Sequence, residues 1–116
     1  MIRKASDFDR EVVPNMCGGE GDVVLDYAFH GNEITSKVTA CCTVTLAPGA
    51  SVGPHTHPTD DEIYYIISGQ GEVIEDDGKK VAVGPGDAIL TGNGGSHQIA
   101  NIGQQPLVFL AVVIDY

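Results

Sequence analysis

The sequence predicts an all-β fold, a sandwich or barrel of antiparallel strands, and three features carry that expectation. From Val38 onward, short apolar or alternating runs recur between Gly-rich turns at roughly eight- to twelve-residue intervals, the spacing of such folds. Fifteen glycines and six prolines among 116 residues are more turn punctuation than a helix-rich chain of this size carries. No segment reads as a long helix. The length suits one domain with one core. Residues 1–37 are expected to form an N-terminal arm with strands that join the barrel or a dimer, and residues 38–116 the barrel itself.

The first clear strand is Val38–Leu46. Its alternation sets Val38, Ala40, Cys42, Val44 and Leu46 on one face and Thr39, Cys41, Thr43 and Thr45 on the other, and Pro48-Gly49 ends it. Further strands are expected over Glu62–Ser68, Gly71–Asp76, Lys79–Val83, Ala88–Thr91, His97–Asn101 and Leu107–Asp115. Asp77-Gly78 reads as a two-residue hairpin turn between two of them. Ile63–Ile67 and Leu107–Ile114 lack the polar-out alternation of a strand with one wet side. Their outer side needs a cover, and a second copy of the chain, making a homodimer, is the expected one. The alternative is that Val23–Phe29 folds over the sheet.

Six Lys and Arg against sixteen Asp and Glu leave a net charge of -10, which repels phosphate backbones and argues against a nucleic-acid partner. The hydrophobic share of 42% and charged share of 19% are those of an ordinary globular chain. No run has the length of a membrane span, and Met1–Asp7 has no apolar stretch behind it to make a secretory signal. The expected setting is therefore cytoplasmic, with no membrane partner. Cys17, Cys41 and Cys42 are odd in number, and a disulfide between the adjacent pair would be strained, so reduced thiols are expected. Cys41 and Cys42 fall on opposite strand faces, and the inward one reads as a small inert hydrophobe.

Chemistry concentrates in the histidines. His55 and His57 are two apart, so on a strand they share a face and can clamp a metal. Glu62 follows across the polar turn Pro58–Asp61 and can return beside them, and a barrel could bring His97 to the same place. Three imidazoles and a carboxylate with open positions suit Mn, Fe, Co, Ni or Zn rather than Ca or Mg. Taken alone, an H-x-H pair in a polar segment is more often solvated surface than a ligand pair. His30, before Gly31-Asn32, reads as a loop residue and a less favoured fifth ligand. The runs Asp60-Asp61 and Glu75-Asp76-Asp77 read as solvated loop charge, the first of them disfavouring anions near the site.

Gly49, His55, His57, Glu62 and Gly69 match, at every fixed spacing, the first motif of the cupin superfamily, which this chain resembles. Gly86, Gly92, Gly94, His97 and Asn101 match the second, with Gly92 where the family has proline. The substitution is expected to loosen the turn before His97. The resemblance implies a double-stranded β-helix (jelly-roll) barrel. It also implies one divalent transition metal per chain, Mn or Fe foremost, held by His55, His57, Glu62 and His97.

The Glu62–Tyr65 segment makes the chain similar to oxalate-decarboxylase-like and germin-like cupins. It departs from oxalate decarboxylases at Val52, where they carry arginine, and it shows no glutamate-bearing lid after the second motif. Its only arginines, Arg3 and Arg10, could reach the site only by strand exchange or a folded arm. Oxalate chemistry is therefore not carried over.

Alternation places Tyr64 and Ile66 on the Glu62 face and Ile99 on that of His97, so Tyr64 is the candidate proton or hydrogen-bond donor, with a core tyrosine as the plain alternative. The leading expectation is a metal-dependent enzyme acting on a small polar molecule by lyase, isomerase, decarboxylase or dioxygenase chemistry. The alternative is a non-catalytic module that binds a small ligand in the same pocket. An acid or base beside the metal would favour the first, and an apolar pocket with only the metal and Tyr64 the second. A structural or storage role suits an intact ligand set least.

Overall fold

The computed structural model describes residues 1–116. Ten strands form two antiparallel sheets: β1 Asp9–Pro14, β2 Asp22–His30, β3 Val38–Leu46, β4 Ser51–Thr56, β5 Asp60–Ser68, β6 Gly71–Glu75, β7 Lys80–Val83, β8 Ala88–Thr91, β9 Ser96–Asn101 and β10 Leu107–Asp115. One sheet has the order β1-β2-β3-β10-β5-β8 and the other β4-β9-β6-β7. Successive strands 4 and 5, and again 8 and 9, change sheets, and this rolls the chain into the expected jelly roll. Three short 3-10 turns are the only helical pieces.

Every strand expected from Val38 onward is present within two residues of its expected ends. The inward face of β3 buries Cys42, Val44 and Leu46, as its alternation requires. Phe109, Leu46, Ile66, Ile99 and Leu107 are fully buried between the sheets. At about 25 cal/mol per Å² of apolar surface, these side chains supply the main drive to close the roll. Asn101 ends β9 and is itself buried. Its amide donates to the carbonyls of Leu46 and Gln105, both at 2.8 Å, so a polar side chain in the core is satisfied.

Two expectations change. Val23–Phe29 does not lie over the sheet: as β2 it pairs between β1 and β3, with Val23 opposite Leu46 and Tyr27 opposite Cys42. Sheet pairing satisfies its backbone polar groups, which lying across a face would not. The outer face of β5, with Ile63, Tyr65 and Ile67, and Leu90 of β8 beside it, therefore stays exposed. The β6–β7 hairpin is also wider than a two-residue turn. Its last ladder pair is Ile74↔Lys80, the Gly78 N–H donates to the Glu75 carbonyl at 3.0 Å, and Gly78 alone takes a left-handed φ of 73°.

The segment before β2 anchors β4. Asn15 and Cys17 both hold left-handed φ, at 50° and 54°, and so fold Asn15–Gly19 into a tight arch. The Ser51 N–H donates to the Glu20 carbonyl at 2.9 Å, and the Glu20 N–H donates to Ser51 Oγ at 2.9 Å. Gly19 and Gly53 lie so close that a Cβ on Gly19 would enter the Ser51 carbonyl and one on Gly53 the Cys17 carbonyl. In the β4–β9 ladder the register slips by one residue between Val52↔Ile99 and His55↔His97, a bulge at Gly53-Pro54. Pro54 suits a bulge because it has no N–H to pair.

Gly53→Ala is expected to destabilise the fold by about 2–3 kcal/mol, because backbone rather than a flexible side chain must yield. Urea unfolding should show a lower midpoint at unchanged slope. A wild-type midpoint would mean that the arch and the bulge are not tightly interlocked.

Candidate metal centre

The bulge decides which way the histidines of β4 point. Val52 and His55 are three residues apart and would face opposite sides of a regular strand, yet Val52 is buried and His55 turns into the site. Without the extra residue, Pro54 and Thr56 would aim inward and both histidines outward. His55 then lies directly opposite His97 of β9. His57 follows β4, where its backbone exchanges hydrogen bonds with the Gly92–Gly95 turn: its N–H donates to the Gly95 carbonyl and its carbonyl accepts from the Gly94 N–H, each at 2.9 Å. Glu62 enters from β5, opposite Thr91 of β8.

The four side chains converge. His97 Nε2 lies 2.9 Å from His55 Nε2 and 3.1 Å from His57 Nε2, and Glu62 Oε1 lies 2.9, 3.1 and 3.6 Å from the Nε2 atoms of His97, His57 and His55. These are the separations of neighbouring donors that share one ion through bonds of about 2.1 Å. Each ring is also held from behind. Nδ1 of His55 meets the Gly53 carbonyl, that of His57 an Asp60 carboxylate oxygen, and that of His97 the Thr91 hydroxyl, all at 2.8 Å. With those Nδ1–H groups engaged, the Nε2 lone pairs point at one another, an arrangement that a cation satisfies.

Glu62 Oε1 carries the same message: it is buried and no N–H is aimed at it, although three ring nitrogens stand close. Burial pushes its carboxyl up, but positive charge on the rings of His55, His97 and His57 outweighs burial and holds it down at about 2, and with the rings neutral a bound cation would take over that role. The group is thus an anion in a buried site, a state that requires a positive partner. Residues and geometry together fit one metal ion, with one donor atom from each of the four.

Beside this cluster lies a chamber of about 140 Å³. His55 and Glu62 form its metal-side wall, and ten of its twelve lining residues are hydrophobic, among them Leu25, Val44, Val52 and Ala111. Tyr64 is buried in that wall, stacked on the His97 ring at 4.9 Å and tilted against Phe109 at 4.5 Å. Burial, reinforced by the Glu62 charge, pushes its phenol well above the ordinary range. It therefore keeps its proton at neutral pH.

Other residues lie elsewhere or do more than their sequence context suggests. Arg3 grips Glu33 at 2.7 and 2.8 Å and the Ala28 carbonyl at 2.9 Å, and Arg10 grips Asp26 at 2.8 and 3.1 Å, so neither enters the chamber. His30 is exposed at the end of β2 and contacts Asp9 at 2.6 Å, so it is no fifth ligand. The acidic runs are not simply solvated charge. Asp60 orients His57, Asp76 accepts from the Ser96 N–H and hydroxyl at 3.1 and 2.7 Å, and Asp61 accepts from the Tyr116 hydroxyl at 2.8 Å.

Tyr116 also closes the question of Gly92. Its hydroxyl accepts the Asn93 N–H at 2.6 Å, which braces the turn before His97, and a Cβ on residue 92 would collide with the Asp61 carboxylate beneath it. Glycine is thus what lets this brace form, and the turn is not loose. The sequence signal for Asp60 was its place three residues after His57. Thr91 and Tyr116 carried none, because sheet pairing and the chain's return bring them to the site.

A rolled pair of antiparallel sheets with three imidazoles and a carboxylate turned into its interior defines a double-stranded β-helix of metal-site type. The cupin domain profile matches residues 42–113, and the chain belongs to the cupin family. It is 40% identical over 114 residues to a protein of Thermotoga maritima named oxalate-binding protein, covering 98% of this chain and 93% of that one. It is 37% identical to the oxalate decarboxylase of Bacillus subtilis over 69% of this chain, but that stretch is 22% of the decarboxylase. Among solved structures, a predicted oxalate decarboxylase from Thermotoga maritima superposes with a TM-score of 0.95 at 37% identity over the whole of both chains.

The cysteines are unpaired: Cys17 is exposed, Cys41 half-buried and Cys42 buried in the chamber wall. Burial pushes the Cys42 thiol up to about 12 and raises those of Cys17 and Cys41 as well, so exposure is what sets Cys17 apart from Cys41. Since the thiolate is the reactive form, timed alkylation at pH 8 should label Cys17 first, Cys41 more slowly and Cys42 only on unfolding. Mass spectrometry of the modified peptides reads that order, and early labelling of Cys42 would contradict it.

Proposed function

We propose that this cupin holds one divalent transition metal on His55, His57, Glu62 and His97 and binds a small carboxylate at the positions the protein leaves open. The observation that carries the reading is the buried, donorless Oε1 of Glu62 facing three convergent imidazole nitrogens. Mn and Fe head the candidates, with Ni, Co and Zn also suited to such a set. The relative named oxalate-binding protein supports a small carboxylate as ligand.

When bound, the ion supplies a Lewis-acid centre that attracts anionic oxygen. The protein does the rest. Gly53, Asp60 and Thr91 orient the three rings, apolar walls exclude water, and the protonated Tyr64 hydroxyl offers a hydrogen bond from the chamber side. Of the two functions open to such a site, this lining favours ligand capture, because Tyr64 stands there without a titratable base beyond the ligands. Catalysis on a small polar molecule is the second reading, and it rests on Tyr64 as proton donor. The unpaired thiols fit a reducing, cytoplasmic setting.

We further assign the uncovered face of Ile63, Tyr65, Ile67 and Leu90 to a second copy of this chain. In a molecule of net charge -10 that run of uncharged side chains is where two copies can meet without opposing like charges.

Metal analysis of the purified protein should find about one ion per chain, and the His55→Ala, His57→Ala double variant should have none. Asp60→Ala should weaken the metal by about 10- to 100-fold in chelator competition, as loss of a ring-orienting partner does. Full metal content in the double variant would overturn the ligand assignment. Sedimentation should give a dimer that Tyr65→Glu splits, and a wild-type monomer would refute the pairing.

A further inference from the structure

We infer that the carboxylate bound at this centre carries an uncharged, apolar body of up to about six non-hydrogen atoms, so that the ligand is an aliphatic 2-oxo or 2-hydroxy monoacid rather than an acid with a second carboxylate at the far end of that body. The inference rests on the metal-and-carboxylate reading above and names the ligand class for the same site.

Size and lining both argue for it. The chamber measures about 140 Å³, and a dry apolar cavity of about 150 Å³ accommodates benzene. His55 and Glu62 wall one side of it, so a ligand held by an ion on those two residues would have the chamber beside it for its remaining atoms. Beyond the metal it would meet Leu25, Val44, Val52 and Ala111. No lysine or arginine lines this space, and both arginines of the chain are committed to Glu33 and Asp26. A second carboxylate at the far end of such a body, out of reach of the metal, would have no cation to pair with, which is among the least favourable arrangements a protein interior offers. The chain's net charge of -10 adds to the penalty on a dianion. An alkyl group meets the reverse condition, since each buried methylene gains about fourfold in affinity. The half-buried Met16, Tyr27, Ala40 and Val113 stand at the rim, where they limit how long the body can be.

Calorimetric titration of the Mn(II)-loaded protein tests this with pyruvate, 2-oxobutanoate, 2-oxopentanoate, 4-methyl-2-oxopentanoate and longer straight-chain 2-oxo acids, against 2-oxopentanedioate, with oxalate as the chelating carboxylate that has no body. Affinity should rise about threefold to fourfold per added methylene, peak near six body atoms and fall beyond, with 2-oxopentanoate at least tenfold tighter than 2-oxopentanedioate. In Ala40→Leu the peak should move to shorter acids. Val113→Leu, its cross-strand partner, makes the same test should the first variant fail to fold. 2-Oxopentanedioate binding as tightly as 2-oxopentanoate, oxalate alone binding, a series flat in chain length, or a peak that neither variant moves would overturn this inference and leave the metal-and-carboxylate reading standing. Binding of none of these acids, oxalate included, would overturn both.

Discussion

One residue of extra length in β4 governs the site. Sheet side chains alternate with period two, so a strand that must bury Val52 in the core cannot also bury His55 unless its phase changes between them. The bulge at Gly53-Pro54 makes that change and brings His55 opposite His97 in the ladder. It survives because the Asn15–Gly19 arch packs backbone to backbone against Gly53, where no side chain fits. The N-terminal arm is therefore part of the site's support, and Met16 of the same arch reaches the chamber wall.

Around that register the chain builds two shells of opposite character. The inner atoms, three ring nitrogens and a carboxylate oxygen, repel or strand one another unless a cation joins them. The outer partners are individually modest hydrogen bonds to a carbonyl, a carboxylate and a hydroxyl. Their role is orientation: each uses the Nδ1 of a ring and so directs its Nε2 to the centre. Tyr116 and Asp61 extend the bracing to the turn that carries His97, so a loop rich in glycine is held by a tyrosine hydroxyl from the residue just after the last strand.

The chamber beside this centre is built from the same strands that make the core. Inward positions of β3 and β10 near the site are small, Ala40, Cys42, Val44, Ala111 and Val113, whereas Phe109 and Leu46 fill the space further down. Where side chains shrink, room for a ligand opens. The outer faces of β5 and β10 are apolar as well, so hydrophobicity in this chain marks two surfaces, the lining of the chamber and an uncovered outer face of the larger sheet.

Strand positions from Val38 onward, the inward set of β3 and the residue types of a metal site were legible in the amino-acid order, because period-two alternation, glycine turns and H-x-H spacing are local properties. Local order left β2 ambiguous, since an apolar run pairs with a sheet edge or lies on a sheet face equally well until neighbouring strands compete for its backbone hydrogen bonds. It also misjudged Asp60 and Gly92. A carboxylate in a polar turn looks solvated until a ring nitrogen lies 2.8 Å away, and a glycine looks loose until the Asp61 carboxylate occupies the place of its missing side chain. Convergence of His55 with His97, the Thr91 contact and the shape of the chamber depend on register across strands far apart in the chain, and that is fixed only when the sheets close on their common core.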